Sequence, residues 1–294
     1  MKTTKIISSK KAAAITGVII LTGIFLFIYT FSIEPNWIET THTEIKISSN
    51  PGAEFPGCNL LVIADIHAAG EGHEKFLEEV VEKINTISQE EEIDVVIIDG
   101  DMINYKSSET EFLAPLENIE HKEVYAVLGN HDYGRGWHHK EIADEVEKYL
   151  ENLGIDVMRN ENRIVCGGEV RIVGIDSLWS DQYDLDEAFA HDSSSDEGRN
   201  SGKIIPDILI SHNPDIVYVM EDKHPDLIIS GHTHGGQVKF PLIGPVVMPS
   251  EAGRVCPEGL CRINEYEIYI TRGVGGSPRI RFLSRPEISV IELV

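Results

Sequence analysis

Asn59-Leu-Leu-Val-Ile-Ala64 is a short apolar run typical of a buried strand, and it ends in the polar group Asp65-Ile66-His67. Beyond it, apolar residues recur at the spacing of one helical face, which indicates a helix that packs on a sheet. These residues are Phe76, Leu77, Val80, Val81, Ile84 and Ile87. The order of strand, polar group and helix predicts an α/β unit with polar residues at the carboxyl end of its strand.

The same arrangement recurs along the chain. Apolar runs at 94–98, 123–128, 207–211 and 226–230 each lead into a group that contains His, Asp or Asn. These groups are Asp99-Gly-Asp101, Gly129-Asn-His-Asp132, His212 and Gly231-His-Thr-His234. Because sites in α/β sheets form at the carboxyl ends of the strands, the series predicts an α/β fold with one site at that edge.

Other segments complete the predicted sheets. The spacing predicts a helix over 141–153 that ends at Gly154, and a polar, solvated connection over 181–202. Four further strands are predicted at 155–158, 170–175, 265–270 and 287–293.

Length and charge limit the class of protein. The chain has 294 residues, of which 41% are hydrophobic, enough for one large domain or two small ones. A disordered chain and a disulfide-stabilised miniprotein are excluded. Asp and Glu total 49 against 25 Lys and Arg, for a formal net charge of −24. Such a surface repels phosphate backbones, so we expect no nucleic-acid partner, and we infer no obligate protein partner.

The composition of the N-terminal region is typical of a membrane anchor. Residues 12–33 hold no charge, and a helix of that length spans a hydrocarbon core of about 30 Å. The positive-inside rule predicts that residues 1–11 lie in the cytoplasm and that the body from 34 onward lies on the extracytoplasmic side. A cleaved signal peptide is the competing interpretation, but Phe31-Ser-Ile33 offers no small-x-small cleavage site. The charges behind the rule are Lys2, Lys5, Lys10 and Lys11 before the run and Glu34, Glu39 and Glu44 after it.

The four cysteines do not form a C-x-x-C pair that would suggest structural zinc. Cys256 and Cys261 flank a turn-prone loop that could bring them together, and the sequence leaves open whether they are a disulfide or two thiols.

The ordered series of strand-end groups resembles the signature of the calcineurin-like metallophosphoesterase superfamily. Within it, several segments look like the membrane-associated bacterial and archaeal phosphodiesterase branch. These are Glu34-Pro-Asn-Trp37, Ser211-His-Asn-Pro-Asp215, Gly231-His-Thr-His-Gly-Gly-Gln237, Thr271-Arg-Gly-Val-Gly275 and Ile280-Arg-Phe282. The resemblance implies that residues 34–294 form one metallophosphoesterase domain. Its fold would be a four-layer α/β/β/α sandwich of two mixed sheets flanked by helices.

The resemblance also implies a ligand set for two divalent metal ions. Asp101 would bridge the ions; Asp65, His67 and His234 would complete one site, and Asn130, His212 and His232 the other. Imidazole, carboxylate and amide ligands without thiolate suit Mn²⁺, Fe or Zn²⁺, and the metal's identity stays open. Two ions about 3.5–4 Å apart can hold a phosphoryl oxygen and generate hydroxide between them.

Residues outside the ligand set complete the expected chemistry. His131 would stabilise or protonate the leaving oxygen, as the matching family residue does, and Asp132 would fix its tautomer; the alternative for Asp132 is a helix or turn cap. Arg272 and Arg279 could hold a phosphate tail or belong to a structural turn.

The expected function is therefore that of a membrane-anchored phosphoesterase with two metal ions. A metal-bound hydroxide would hydrolyse a phosphodiester or a pyrophosphate, and lipid-linked phosphates are among the candidate substrates. The alternatives are a phosphomonoesterase that acts on soluble substrates and a non-catalytic metal-binding envelope protein. The sequence departs from the family pattern at two positions: Ala64 replaces the Ser that often precedes the first Asp, and Asn104 stands where an acidic residue is common. Because neither is a predicted ligand, these departures concern substrate preference.

Overall fold

A computed structural model describes residues 9–47, 55–190 and 205–294 of the chain. Lys2 and Lys5, and residues 191–202 of the predicted 181–202 connection, lie outside the described residues. In the described part the strands form two six-stranded mixed sheets and one small hairpin.

The first sheet has the order β1-β14-β2-β3-β4-β5. Its centre is the run quoted first, β2, which pairs in parallel with β3 on one side and antiparallel with β14 on the other. Its strands are β1 (Glu39–Ile45), β2 (Cys58–Ala64), β3 (Val95–Asp99), β4 (Val124–Val127), β5 (Asp156–Val157) and β14 (Glu287–Leu293).

The second sheet has the order β12-β13-β9-β8-β7-β6, in which β7, β8, β9 and β13 are parallel to one another and the edge strands β6 and β12 are antiparallel to their neighbours. Its strands are β6 (Glu161–Val165), β7 (Val170–Gly174), β8 (Asp207–Ile210), β9 (Leu227–Ser230), β12 (Gly259–Ile263) and β13 (Tyr266–Ile270). The separate hairpin consists of β10 (Lys239–Phe240) and β11 (Gly244–Pro245).

Three apolar clusters show how the layers of helices and sheets pack on one another. One cluster joins alternate residues of the first sheet, such as Leu61 and Ile63, to α2 (Glu71–Glu90) and α3 (Lys140–Asn152). A second lies between the two sheets, where Leu60 and Val62 share a cluster with Ile208. A third covers the outer face of the second sheet with α4 (Leu185–Ala188), α5 (Glu251–Val255) and a short 3₁₀ turn. The predicted α/β/β/α sandwich is thus confirmed.

The N-terminal helix continues into the body. α1 (Ser9–Ile28) is followed without a break by a π turn over Tyr29–Ile33 and a 3₁₀ turn over Glu34–Asn36. By length and composition, the stretch Ala13–Asn36 could cross a membrane. The carboxylate of Glu34 is buried and accepts a hydrogen bond from the Ser284 N–H at 2.6 Å. The end of the helix is therefore fastened to the body.

Both cysteine pairs are disulfides. Cys256–Cys261 closes the loop between α5 and β12, which answers the question that the sequence left open. Cys58–Cys166 joins the start of β2 to the turn after β6 and so links the two sheets. This second pair spans 108 residues, and nothing in the local sequence indicated it.

Candidate metal centre

The predicted ligands meet at one edge of the two sheets, as the strand order requires. Asp65 and His67 follow β2, Asp101 follows β3 and Asn130 follows β4. From the second sheet, His212 follows β8, and both His232 and His234 follow β9. Six of the seven are buried and His234 is half-buried. The structure thus brings together residues that lie up to 169 positions apart.

Ligand atoms of the two predicted sets adjoin each other around Asp101. Asp101 Oδ2 lies 3.6 Å from His67 Nε2 and 3.1 Å from His212 Nε2. Asp65 Oδ1 lies 3.9 Å from His67 Nε2, 3.7 Å from His212 Nε2 and 3.6 Å from His234 Nε2. Asp101 therefore stands between the set that contains His67 and the set that contains His212.

Several of these side chains are held in an unusual backbone conformation. Five of the seven predicted ligands have a positive φ, which is uncommon for residues with a Cβ atom. They are Asp65 (57°), His67 (49°), Asp101 (52°), His232 (65°) and His234 (51°). Residues in such conformations cluster at functional sites, because the surrounding structure must impose the strain.

Burial and charge shift the pKa of these groups strongly. Burial raises the pKa of Asp65 to about 8, with Asp101 and Asp99 adding to the shift, and it lowers the pKa of His67 and of His232 to about 3. Against the effect of burial, the Asp101 carboxylate raises the pKa of His212 well above its usual value. In the absence of metal ions, protons on Asp65 and His212 therefore offset the negative charge of the cluster near neutral pH.

The buried ligand atoms fit a metal ion better than they fit any protein partner. Within the described residues, several of them have no hydrogen-bond partner, although buried polar atoms are normally paired. They are Asp65 Oδ1, His67 Nε2, His212 Nε2 and His232 Nε2. Asp65, His67 and His234 offer ligand atoms within 4.8 Å of one another, and so do Asp101, His212 and His232. The donor set of nitrogen and oxygen atoms suits the divalent ions named above.

His131 lies beside the cluster and is held by a different partner from the one expected. Its Nδ1 donates to the carbonyl oxygen of Asn104 at 2.8 Å, while Asp132 accepts the N–H groups of Met102, Ile103 and Gly129. The prediction that Asp132 fixes the tautomer of His131 is wrong, because its carboxylate is used up in ordering the loops around the site. His131 also belongs to a group with His67 and Asp101 that could hold a metal ion.

Close packing of backbone around the carboxylates depends on glycine. A Cβ atom on Gly129 would overlap the side chain of Asp101, and one on Gly273 would lie 2.6 Å from Asp65 Oδ2. Gly235 and Gly236 form a tight turn with positive φ.

The arginines of the C-terminal segment have structural partners. Arg272 pairs with Glu287 and Glu39, and Arg279 donates to the Pro35 carbonyl and the Asn36 side chain. Of the two interpretations left open for them, the structural turn is the one these contacts favour.

Arg281 was not singled out from the sequence, although it supports the site. It is fully buried, and its guanidinium donates to the carbonyl oxygens of His234, Arg272 and Gly275. It thereby fixes the turn that carries His234. A single Arg in a polar segment gives no sequence signal for such a role.

Aromatic side chains flank the cluster, and sequence reasoning missed them too. Tyr105 stacks on His131 with ring centroids 4.6 Å apart, and Trp179 meets the ring of His232 edge-on at 4.2 Å. Trp137 contacts Trp179 at 5.1 Å. A cavity of about 470 Å³ beside them is lined by Tyr105, Arg135, Gly136, Trp137 and His138. Aromatic residues at loop positions resemble core residues in a sequence, so their convergence becomes visible only in the fold.

Comparison with known proteins agrees with this arrangement. The family model for calcineurin-like phosphoesterases matches residues 58–236. Phosphodiesterase YaeI of Escherichia coli is 29% identical over 91% of this chain and 93% of its own length. The uncharacterized metallophosphoesterase YkuE of Bacillus subtilis is 30% identical over 90% of this chain and 88% of its own length. UDP-2,3-diacylglucosamine pyrophosphatase LpxG of Chlamydia muridarum is 25% identical, over 93% and 94% respectively. The chain therefore belongs to the calcineurin-like phosphoesterase family of hydrolases, whose members use two divalent metal ions.

Proposed function

We propose that this protein is a membrane-anchored phosphoesterase that hydrolyses a phosphodiester or a pyrophosphate. The observation that carries the proposal is the convergence of seven potential ligands at the adjoining edges of the two sheets, where several buried nitrogen and oxygen atoms make no hydrogen bond within the described residues. A purely structural cluster would leave these polar atoms paired with one another or with the backbone.

The candidate ligands divide into two sets around one carboxylate. Asp65, His67 and His234 would hold one ion, Asn130, His212 and His232 would hold the other, and Asp101 lies between the two sets. When bound, the ions supply positive charge for the phosphoryl oxygens and lower the pKa of water. The peptide carbonyl of Asp99 accepts from His212 Nδ1 at 2.7 Å, which orients Nε2 of that ring toward the cluster.

His131 handles the leaving group. Its Nδ1 is occupied by the Asn104 carbonyl, so Nε2 is the atom free to give a proton to the departing oxygen. The ring stacks on Tyr105 and meets the ring of His67 edge-on, and these two contacts restrict its rotation. The backbone N–H of His131 donates to Asp101 Oδ1 at 2.8 Å, so the backbone that carries the ring is held directly by that carboxylate.

The aromatic cavity binds the part of the substrate beyond the phosphate. It is lined by Tyr105 and Trp137, with the Arg135 guanidinium 5.4 Å from the Tyr105 ring centroid. Such walls bind a planar or sugar-like group, and the cation suits a second phosphate. A phosphodiester or pyrophosphate has a group on each side of the scissile bond to use this space, whereas a monoester of a small alcohol does not. The activities named for YaeI and LpxG also favour these two substrate classes.

The anchor and the disulfides support an extracytoplasmic location. Residues 12–33 span the membrane, residues 1–11 remain in the cytoplasm, and residues 34–294 form the catalytic domain outside. Lys10 and Lys11 precede the apolar stretch, whereas acidic residues follow it. Cys58–Cys166 and Cys256–Cys261 are bonds that persist in oxidising compartments and are rare in the cytosol.

A phosphodiester and a phosphomonoester that release the same leaving group test which class of ester the protein hydrolyses. The purified protein, loaded with Mn²⁺, should hydrolyse bis(p-nitrophenyl) phosphate faster than p-nitrophenyl phosphate. Both esters release p-nitrophenolate, so the comparison isolates the preference for diester over monoester. A higher rate on the monoester would favour the phosphomonoesterase alternative. If neither ester nor a pyrophosphate were hydrolysed with Mn²⁺, Fe or Zn²⁺, the result would favour a non-catalytic metal-binding protein.

A ligand variant tests the assignment. Asp101→Asn should lower metal occupancy and abolish activity, because it removes the charge shared by both ions. His139→Ala is the matched control, since His139 lies at the surface and pairs only with Glu141. If the two variants bound metal and turned over substrate alike, the assignment of Asp101 would be wrong.

A further inference from the structure

An exposed apolar hairpin lies at the surface of the body. β10 and β11 pair Lys239 with Pro245 and Phe240 with Gly244, and residues 241–243 form the turn between them. We call residues 240–247 the apolar hairpin. Leu242 is fully exposed, and Ile243, Val246 and Val247 are 79%, 59% and 70% exposed. Single exposed apolar residues are normal, but several on one projecting loop mark a surface that contacts something apolar.

The apolar hairpin stands next to the end of the membrane helix. The Phe282 ring lies between them, 6.1 Å from the ring of Tyr29 and 5.7 Å from the ring of Phe240. Backbone bonds follow the same path: the Arg281 N–H donates to the Thr30 carbonyl and the Lys239 N–H to the Phe282 carbonyl. The apolar hairpin and α1 therefore project from neighbouring positions on the body.

The chemistry of the apolar hairpin suits the interior of a bilayer. Residues 240–249 contain no charged side chain, and Lys239 at the base is paired with Glu258 at 2.7 Å. With a net charge of −24, attraction to anionic headgroups cannot draw the body to a membrane, so apolar burial must do so. Trp37 is half-exposed near the helix end, with the Arg285 guanidinium 4.3 Å from its ring centroid. Trp beside Arg is the composition found at membrane interfaces.

The base of the apolar hairpin packs on the turn that carries a predicted ligand. His234–Gly236 is that turn, and a Cβ atom on Gly236 would overlap Pro245. Arg281, whose backbone binds the helix end, donates its guanidinium to the His234 carbonyl at 3.0 Å. The helix end, the apolar hairpin and the His234 side of the metal centre therefore form one contiguous unit.

We infer that the apolar hairpin inserts into the surface of the bilayer that α1 spans and holds the metal centre at the level of the lipid phosphates. The substrate class that follows is an amphiphile whose acyl chains stay in that bilayer while its phosphate enters the site. This inference rests on the proposed function, since it takes the anchor and the phosphoesterase activity from it. A second copy of the chain is the competing occupant of the apolar hairpin.

Fluorescence of a labelled residue tests the insertion directly. All four native cysteines are in disulfides, so Leu242→Cys in the full chain offers one thiol for an environment-sensitive label. Ile164→Cys is the matched control, because Ile164 is 48% exposed and pairs with Arg171 at the opposite end of β7 from the site. In phosphatidylcholine vesicles, quenching by aqueous iodide should be about fivefold weaker at position 242 than at position 164, as for a group held below the headgroups.

Equal quenching at both positions would overturn the inference. Shielding of position 242 that persists in detergent without lipid, together with a dimer in light scattering, would also overturn it and assign the apolar hairpin to a second copy.

Activity separates this inference from the proposed function. The double variant Leu242→Ser/Ile243→Ser should hydrolyse soluble bis(p-nitrophenyl) phosphate at the wild-type rate. On a phosphatidyl-p-nitrophenol ester carried in vesicles, its rate should fall about tenfold, since the site is no longer held at the lipid surface. Failure of the wild type on the soluble ester would contradict the proposed function while the fluorescence result still stands. Equal rates of variant and wild type on the vesicle substrate would contradict the insertion alone.

Discussion

The imidazole of His131 acts at the leaving oxygen in this account and does not retain metal. His131→Ala should keep two metal ions and lose about 10² to 10⁴ in rate, the usual contribution of a general acid. The loss should shrink when the leaving group is a good anion such as p-nitrophenolate, because such a group needs little protonation. Rates on diesters of graded leaving-group pKa, with metal analysis of the same samples, check this.

Two results would count against this role of His131. Equal losses for good and poor leaving groups would argue for electrostatic stabilisation in place of proton donation. Loss of a metal ion in the variant would place His131 among the ligands, next to His67 and Asp101.

Protonation of the empty site gives a second prediction. The pKa of Asp65 is raised to about 8 and that of His212 lies well above its usual value, so both carry protons at pH 7 without metal. Metal binding must displace them, and we expect release of about two protons per chain at pH 7. The affinity of the protein for metal ions should therefore increase as the pH rises toward 8. Calorimetric titration in buffers of different ionisation enthalpy measures the release, and heats independent of the buffer would contradict it.

At the scale of residues, sequence predicted which side chains converge at the strand ends and missed the groups that support them. Each polar group lies within four residues of the end of an apolar strand, so a local pattern sufficed. The Asn104 carbonyl that holds His131 and the buried Arg281 depend on contacts between distant segments, which leave no local pattern. Asp132 was assigned to the wrong partner for the same reason: adjacency in sequence to His131 says nothing about which backbone N–H groups its carboxylate meets.

At the scale of elements, Glu287 anchors the start of β14. Its buried carboxylate accepts from Thr41, from Tyr269 and from both the backbone and the guanidinium of Arg272. Burial opposes ionisation, but Arg272 and these hydrogen bonds hold the pKa of Glu287 below its usual 4.5. Such a group contributes stability above its unfolded pKa and loses that contribution as the pH falls through its folded pKa.

Glu287→Gln should therefore destabilise the protein by about 3 kcal/mol at pH 7, since it leaves Arg272 with less compensation in a buried setting. The difference from wild type should shrink as the pH falls below about 4.5, and chemical denaturation of the detergent-solubilised chain measures it. Glu292→Gln on the exposed face of β14 is the control and should change little. An equal loss in both variants, or a loss independent of pH, would contradict the anchoring role.

Strands buried on both faces were predicted from sequence, whereas three of the four edge strands of the two large sheets were not. The strands β2, β3, β8 and β9 each contain a run of at least three consecutive buried apolar residues, because helices or the other sheet cover both of their faces. β1, β6 and β12 lie at sheet edges and carry polar residues such as Thr41 and Arg163. Their assignment depends on pairing with a distant partner, as β1 does with β14, and composition alone cannot show that.

At the scale of the whole molecule, the two sheets, their disulfide and the helix end position a single site. The sheets meet face to face, Cys58–Cys166 joins them away from the site, and their carboxyl ends deliver ligands from both sides. The four-layer architecture followed from the order of strands together with the resemblance. The close fit of the helix end to the His234 turn could not be predicted from the sequence, because it depends on contacts of Glu34, Ser284 and Arg281 that form only in the fold.

The central claim is that two metal ions act together at the strand ends, and stepwise reconstitution tests it most directly. Metal-free full-length protein would be titrated with Mn²⁺ while bound metal per chain and the rate on bis(p-nitrophenyl) phosphate are measured on the same samples. Because Asp101 lies between the two sets of candidate ligands, we predict saturation at two ions per chain and activity that rises mainly as the second one binds. Full activity at one ion per chain, or two bound ions with no activity, would contradict the account.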